Sequence, residues 1–185
     1  MNVTEILTLI ISLTALLVTY LVFKTNQAPQ IIAYATPHYG KQSFIQLHIK
    51  NIGNGIAENI KITSSHPIPR RAFGITHLND PVEYFETGIF KHGIKIMHPN
   101  QDYFYDWGQY GGLIEALNDQ VLIFEISYQF RFPLSLWKSR IKDISSINIR
   151  ELEELPASTG DLNNQLEKIH KELEKFNKEF LKRPK

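Results

Sequence analysis

Residues 6–23, ILTLIISLTALLVTYLVF, carry no charge, no Gly and no Pro. As a helix rising ~1.5 Å per residue, this run is ~27 Å long, close to the ~30 Å hydrocarbon core of a bilayer. Asn2 or Thr4 can cap it, and Glu5 suits the positive end of the helix dipole. The stretch is therefore expected to be one membrane-spanning helix, and the lipid bilayer is the first expected partner. A cleaved signal peptide is the rival reading. It would need a basic start and a small-x-small cleavage site, whereas MNVTE has no Lys or Arg and TYLVFKTN has no such site. Lys24 and Lys41 follow the run and no basic residue precedes it. The positive-inside rule then puts the amino terminus outside and the following domain in the cytoplasm.

Within the run, Thr8, Ser12, Ala15 and Thr19 step by four, three and four residues, so they share one helix face. Small residues at that spacing allow two helices to approach closely, which makes these four a candidate helix–helix interface. Chance is the bland alternative, since Ser, Thr and Ala are common in such helices.

The rest of the 185-residue chain suffices for one domain and a tail. A formal net charge of +1 gives no field that would attract nucleic acid. The absence of Cys excludes disulfides, thiolate metal sites and cysteine nucleophiles. The division expected is an anchor over 1–24, a linker over 25–29, a β-rich domain over 30–150, and an acidic linker with a helix over 151–185.

Several short stretches in 30–150 read as strands. QIIAYAT, SFIQLHIKN, AENIKITSS, GIKIM, DYFYDW, VLIFEISYQF and LWKSRIKDI are separated by turn residues, and none alternates with a long helix. NIGNG is expected to turn through residues that accept positive φ. Residues 65–90 read as a long irregular connection with one short strand, and GLIEALND as a helical turn. The pattern argues for an antiparallel sandwich and against a nucleotide-binding α/β fold.

HIKNIGNGIAENIKI resembles the strand–turn–strand signature of immunoglobulin-like domains of the CARDB type, with Ile49, Asn51, Gly53, Asn54, Ala57, Asn59 and Ile60 in the matching positions. GIKIMHPNQDYFYDW is similar to the same family's next strand and turn. Ile94, Met97 and Pro99 match there, and Asn100 stands where Gly is usual. Asn tolerates the left-handed conformation, so that turn is expected to survive. With its anchor, the chain resembles small bacterial single-pass membrane proteins with such a domain. The resemblance implies a mainly β fold: one N-terminal transmembrane helix, an immunoglobulin-like antiparallel β-sandwich and a C-terminal amphipathic helix. It implies no catalytic residues.

Past the acidic RELEELP segment, Ser158 and Asp161 have capping-box spacing. Leu162, Leu166, Ile169, Leu173, Phe176 and Phe180 then form a seam of about three heptads. Positions flanking the seam carry no complementary charges for a self-matched dimer. A helix laid on the domain, on a protein partner or in a homo-oligomer all satisfy the pattern.

Four groups of residues could carry chemistry or binding. His92 and His98 border GIKIM at H-x5-H spacing, and His66 and His77 precede it, but neither HExxH nor a second closely spaced ligand pair accompanies them, so scattered surface His is the plainer reading and no metal or cofactor is expected. Asp80, Glu83 and Glu86 cluster in the long connection. Asp102 and Asp106 lie on one strand face, where they would either bind a cation or be solvated. Lys138, Arg140 and Lys142 alternate along a strand, with Arg131, Arg70 and Arg71 as candidate neighbours. They are either a lipid-headgroup contact, at about 1 kcal/mol per basic residue, or edge charges that prevent aggregation. Tyr103, Tyr105 and Trp107 share a face, with Tyr84, Phe85 and Phe90 upstream, as either a recognition surface or core.

No hydrolase or phosphate-loop motif is present. The expectation is a membrane-anchored, non-enzymatic binding or scaffolding protein, such as the accessory subunit of a membrane complex. The alternatives are an exported stalk or adhesion module, and a metal-dependent enzyme or sensor using the His-bearing loop.

Overall fold

The computed structural model describes residues 2–38, 43–133, 135–153 and 160–181. Lys41, Ser158 and the side chains of Leu162 and Phe180 lie outside the description. Helix α1 (Val3–Asn26) begins after Asn2, whose backbone N–H donates to Glu5 Oε2 at 3.0 Å. It is long and apolar enough to cross a membrane, and no residue in it is buried.

Strands β1 (Ile31–Pro37) and β2 (Phe44–Asn51) follow, then β3 (Ala57–Ser64). The long connection holds two-residue strands β4 (Pro69–Arg70) and β5 (Glu83–Tyr84) and the single turn α2 (Ile89–His92). Next come β6 (Ile94–Met97), β7 (Asp102–Gln109), α3 (Tyr110–Ala116), β8 (Leu122–Phe130) and β9 (Ser139–Ile147). A 3-10 turn, Ile149–Leu152, precedes the last helix, α4 (Gly160–Leu181).

One sheet has the order β1-β2-β7, another β6-β3-β8-β9, and β4 pairs with β5. All these pairings are antiparallel. Period-two burial explains the registers. In β8, Leu122, Phe124, Ile126, Tyr128 and Phe130 are buried while Ile123 and Glu125 are exposed. A single apolar cluster draws on both larger sheets, through Ile31, Leu47 and Trp107 on one and Ile60, Phe124 and Ile126 on the other.

Edge strand β1 is closed by side chains. The Ile31 N–H donates to Asp143 Oδ2 at 2.8 Å and the Ala33 N–H to Ser145 Oγ at 3.0 Å, both on β9. Backbone donors that would otherwise form an open edge are thereby satisfied.

Three expectations change. The connection over 65–90 holds two short strands, β4 and β5, paired with each other, where one was expected. Gly53 and Gly55 are not among the positive-φ residues. They are small because the linker presses on them: a Cβ at Gly53 would overlap the Ala28 oxygen and Gln30 nitrogen, and one at Gly55 the Gln27 oxygen. In addition, LWKSRIKDI is not all strand. β9 starts at Ser139, so Lys138 precedes it, and Leu136 and Trp137 lie in the hairpin loop. Asn100 does adopt the left-handed conformation, at φ 60°. The core runs past residue 150: Ile149 is buried, and Leu152 packs against the cluster.

Candidate functional site

Asn51 is the only buried polar residue among those described. Its Oδ1 accepts from the Gln30 and Gly53 N–H groups, each at 3.1 Å. Its Nδ2 donates to the Gly55 oxygen at 2.8 Å and the His98 oxygen at 3.2 Å. One side chain thus joins the linker, the Gly53–Gly55 turn and the turn before β7. Asn54 Nδ2 adds a 3.0 Å bond to the Asn26 oxygen at the end of α1. These bonds fix how α1 leaves the sheet domain.

Three strands assemble a relay that no local spacing in the sequence signals. His48 Nδ1 lies 3.0 Å from Asp102 Oδ2, and His48 Nε2 lies 3.2 Å from Thr36 Oγ1. The order hydroxyl, imidazole, carboxylate is that of an activated nucleophile. Catalysis would also need donors aimed at a developing oxyanion and a seat for substrate. Here the Tyr34 ring stacks on His48 at 4.7 Å and 12°, covering one face of the imidazole. Burial, then the nearby Asp102 charge, raises the Tyr34 hydroxyl above its ordinary value. The relay fastens the outer faces of β1, β2 and β7 to one another.

On the same face Asp106 Oδ1 accepts from Gln46 Nε2 at 3.1 Å. Asp102 and Asp106 therefore face His and amide groups, and no three metal-ligating side chains converge among the described residues. His66 sits beside Ser65, and His77 is 3.8 Å from Glu115 on an exposed surface. These histidines are not brought together.

The aromatic residues divide. Trp107 is buried and donates to the Pro69 oxygen at 2.9 Å. Tyr105 packs with Phe85 and Phe90. Phe104, on the opposite face, is 61 % exposed. It lines an open cleft of about 450 Å³ with Arg70, Arg71, Phe85, Tyr105 and Asp106. Neither arginine is ion-paired to a described carboxylate.

The basic ridge is partly neutralised. Lys138 pairs with Glu58, and Lys142 Nζ is 2.7 Å from Glu125 Oε1. Arg140 projects from the exposed face of β9. On α1, the hydroxyls of Thr8, Ser12 and Thr19 donate to carbonyls one turn earlier, at 2.8 Å each. On α4, Leu166, Ile169, Leu173 and Phe176 are all more than half exposed.

No curated protein and no solved structure matches the chain. A family model described as "Domain of unknown function (DUF8453)" matches residues 3–153, the stretch that runs from α1 through the 3-10 turn, and the chain belongs to that family.

Proposed function

We propose that the protein is a single-pass membrane protein whose sheet domain, an immunoglobulin-like sandwich on the cytoplasmic side, binds or scaffolds a partner and performs no chemistry itself. The observation that carries this reading is the exposure of α1. Its 24 residues include none that is buried, and Leu16 is 68 % exposed. Covering a Leu or Ile side chain is worth roughly 1.5–3 kcal/mol, so such a helix in water would be heavily penalised. A bilayer removes that penalty, and the i−4 hydroxyl bonds leave few polar groups to satisfy there. The single core drawn from two sheets supports the sandwich.

Binding is supported by the cleft. Arginine and aromatic residues dominate recognition surfaces, and a guanidinium pairs strongly with a carboxylate. Arg70 and Arg71 beside Phe104 suit an acidic segment of a partner protein. The test is a photo-crosslinking residue at position 104 in native membranes. A discrete protein adduct is expected, lost in Arg70→Glu with Arg71→Glu at unchanged thermal stability. Absence of any adduct in those membranes overturns the binding role of this cleft.

A further inference from the structure

Among the described residues outside α1 and α4, the largest exposures of bulky apolar side chains are in the loop between β8 and β9. Leu136 is 82 % and Trp137 78 % exposed. The loop does not project away from the anchor. The Pro133 oxygen accepts a hydrogen bond from the Tyr20 hydroxyl at 3.3 Å, and Lys24 Nζ sits 4.6 Å from the centre of the Phe132 ring.

Tyr20 is six residues before the end of α1 at Asn26, about 9 Å along the axis at ~1.5 Å per residue. Helix side chains lean towards the N-terminus, so the Tyr20 hydroxyl is no nearer the domain than its own Cα. The hairpin loop therefore turns back beside the last turns of α1. Those turns hold the end of the apolar run at Phe23 and the first charge after it, at Lys24.

Given the reading that α1 crosses the bilayer, we propose that this hairpin is a second membrane attachment. Phe132, Pro133, Leu136 and Trp137 enter the interfacial layer of the same bilayer, beside Tyr20. Tyr and Trp favour that layer because each has an apolar ring and a polar handle. Arg131 and Arg140 flank the loop, and neither is ion-paired to a described carboxylate, so both suit headgroup phosphates. Two attachments, one helical and one a hairpin, would hold the domain at a fixed tilt and present the Arg70–Phe104 cleft in one direction.

The test uses the full chain in phosphatidylcholine–phosphatidylglycerol vesicles containing lipids brominated at different depths. The chain has two Trp, and Trp107 is buried, so the difference between wild type and Trp137→Phe isolates Trp137 without disturbing the core. Trp137 emission is expected to be blue-shifted and quenched most by bromines near the headgroup end of the acyl chain. A nitroxide at Leu136→Cys should be more accessible to oxygen than to a water-soluble nickel complex. Unquenched Trp137, with protein retained after a carbonate wash, overturns the hairpin attachment and leaves the α1 reading standing. Release of the protein by the wash overturns the α1 reading, and the hairpin attachment with it.

Discussion

The Tyr128 hydroxyl lies 2.7 Å from Asp143 Oδ2, and that same oxygen accepts the Ile31 N–H. The hydroxyl is also 3.0 Å from the Pro29 oxygen, so a pair on neighbouring strands β8 and β9 fastens the first residues after α1. Asp143→Ala would leave the Ile31 N–H buried without an acceptor, at about 1–3 kcal/mol, whereas Tyr128→Phe removes one hydrogen bond, at ~1 kcal/mol. Urea denaturation in detergent should show both variants destabilised, Asp143→Ala more so. Equal stability of Asp143→Ala and wild type would mean that β1 does not depend on this contact.

The same pair sets an alkaline limit. Burial, followed by the Asp143 hydrogen bond and charge, raises the Tyr128 hydroxyl far above its ordinary 10.0. The folded state therefore keeps a proton that the unfolded state loses. This contribution is whole below pH 10 and falls as pH rises from there towards the folded-state value, by about 1.4 kcal/mol per pH unit for one proton. Denaturation midpoints at pH 9 to 11 should show the decline, and Tyr128→Phe should flatten it. An unchanged slope in that variant would assign the decline to other groups.

Asn51→Leu should be among the most damaging single substitutions outside the apolar core. It strands the Gln30 and Gly53 donors and the Gly55 acceptor, each costing about 1–3 kcal/mol if water cannot replace the partner. Hydrogen exchange should report the damage first in residues 28–31 and 52–56. Native protection of those amides in the variant would contradict the role given to Asn51.

The α4 seam should be separable from the sheet domain. Leu166 is 55 % and Leu173 61 % exposed, and a helix of this length needs outside packing to be stable. Leu166→Asp with Leu173→Asp is expected to leave the melting temperature of the domain unchanged and to reduce the mass of the complex in detergent. A lower melting temperature at unchanged mass would instead put the seam against its own domain.

Strand Phe44–Asn51 was legible because its period-two alternation is a local property, and Leu122–Phe130 because it lies in an apolar run bounded by turn residues. The turn at Asn100 was legible because left-handed backbone selects for few residues. The reason for Gly53 and Gly55 was not, since overlap with the linker is a tertiary fact. The same holds for the relay. Thr36, His48 and Asp102 come from three strands, and only the β1-β2-β7 order makes them neighbours. Trp137 looked like part of an alternating strand because its neighbours continue the pattern, yet strand pairing begins at Ser139.

The central claim is that α1 crosses the bilayer and the sheet domain lies on its cytoplasmic side. The chain has no Cys, so Asn2→Cys and Ser146→Cys can be labelled singly with a membrane-impermeant maleimide. In intact cells Asn2→Cys should react and Ser146→Cys should react only after lysis. Reaction of both positions from the same side of the membrane would contradict the account.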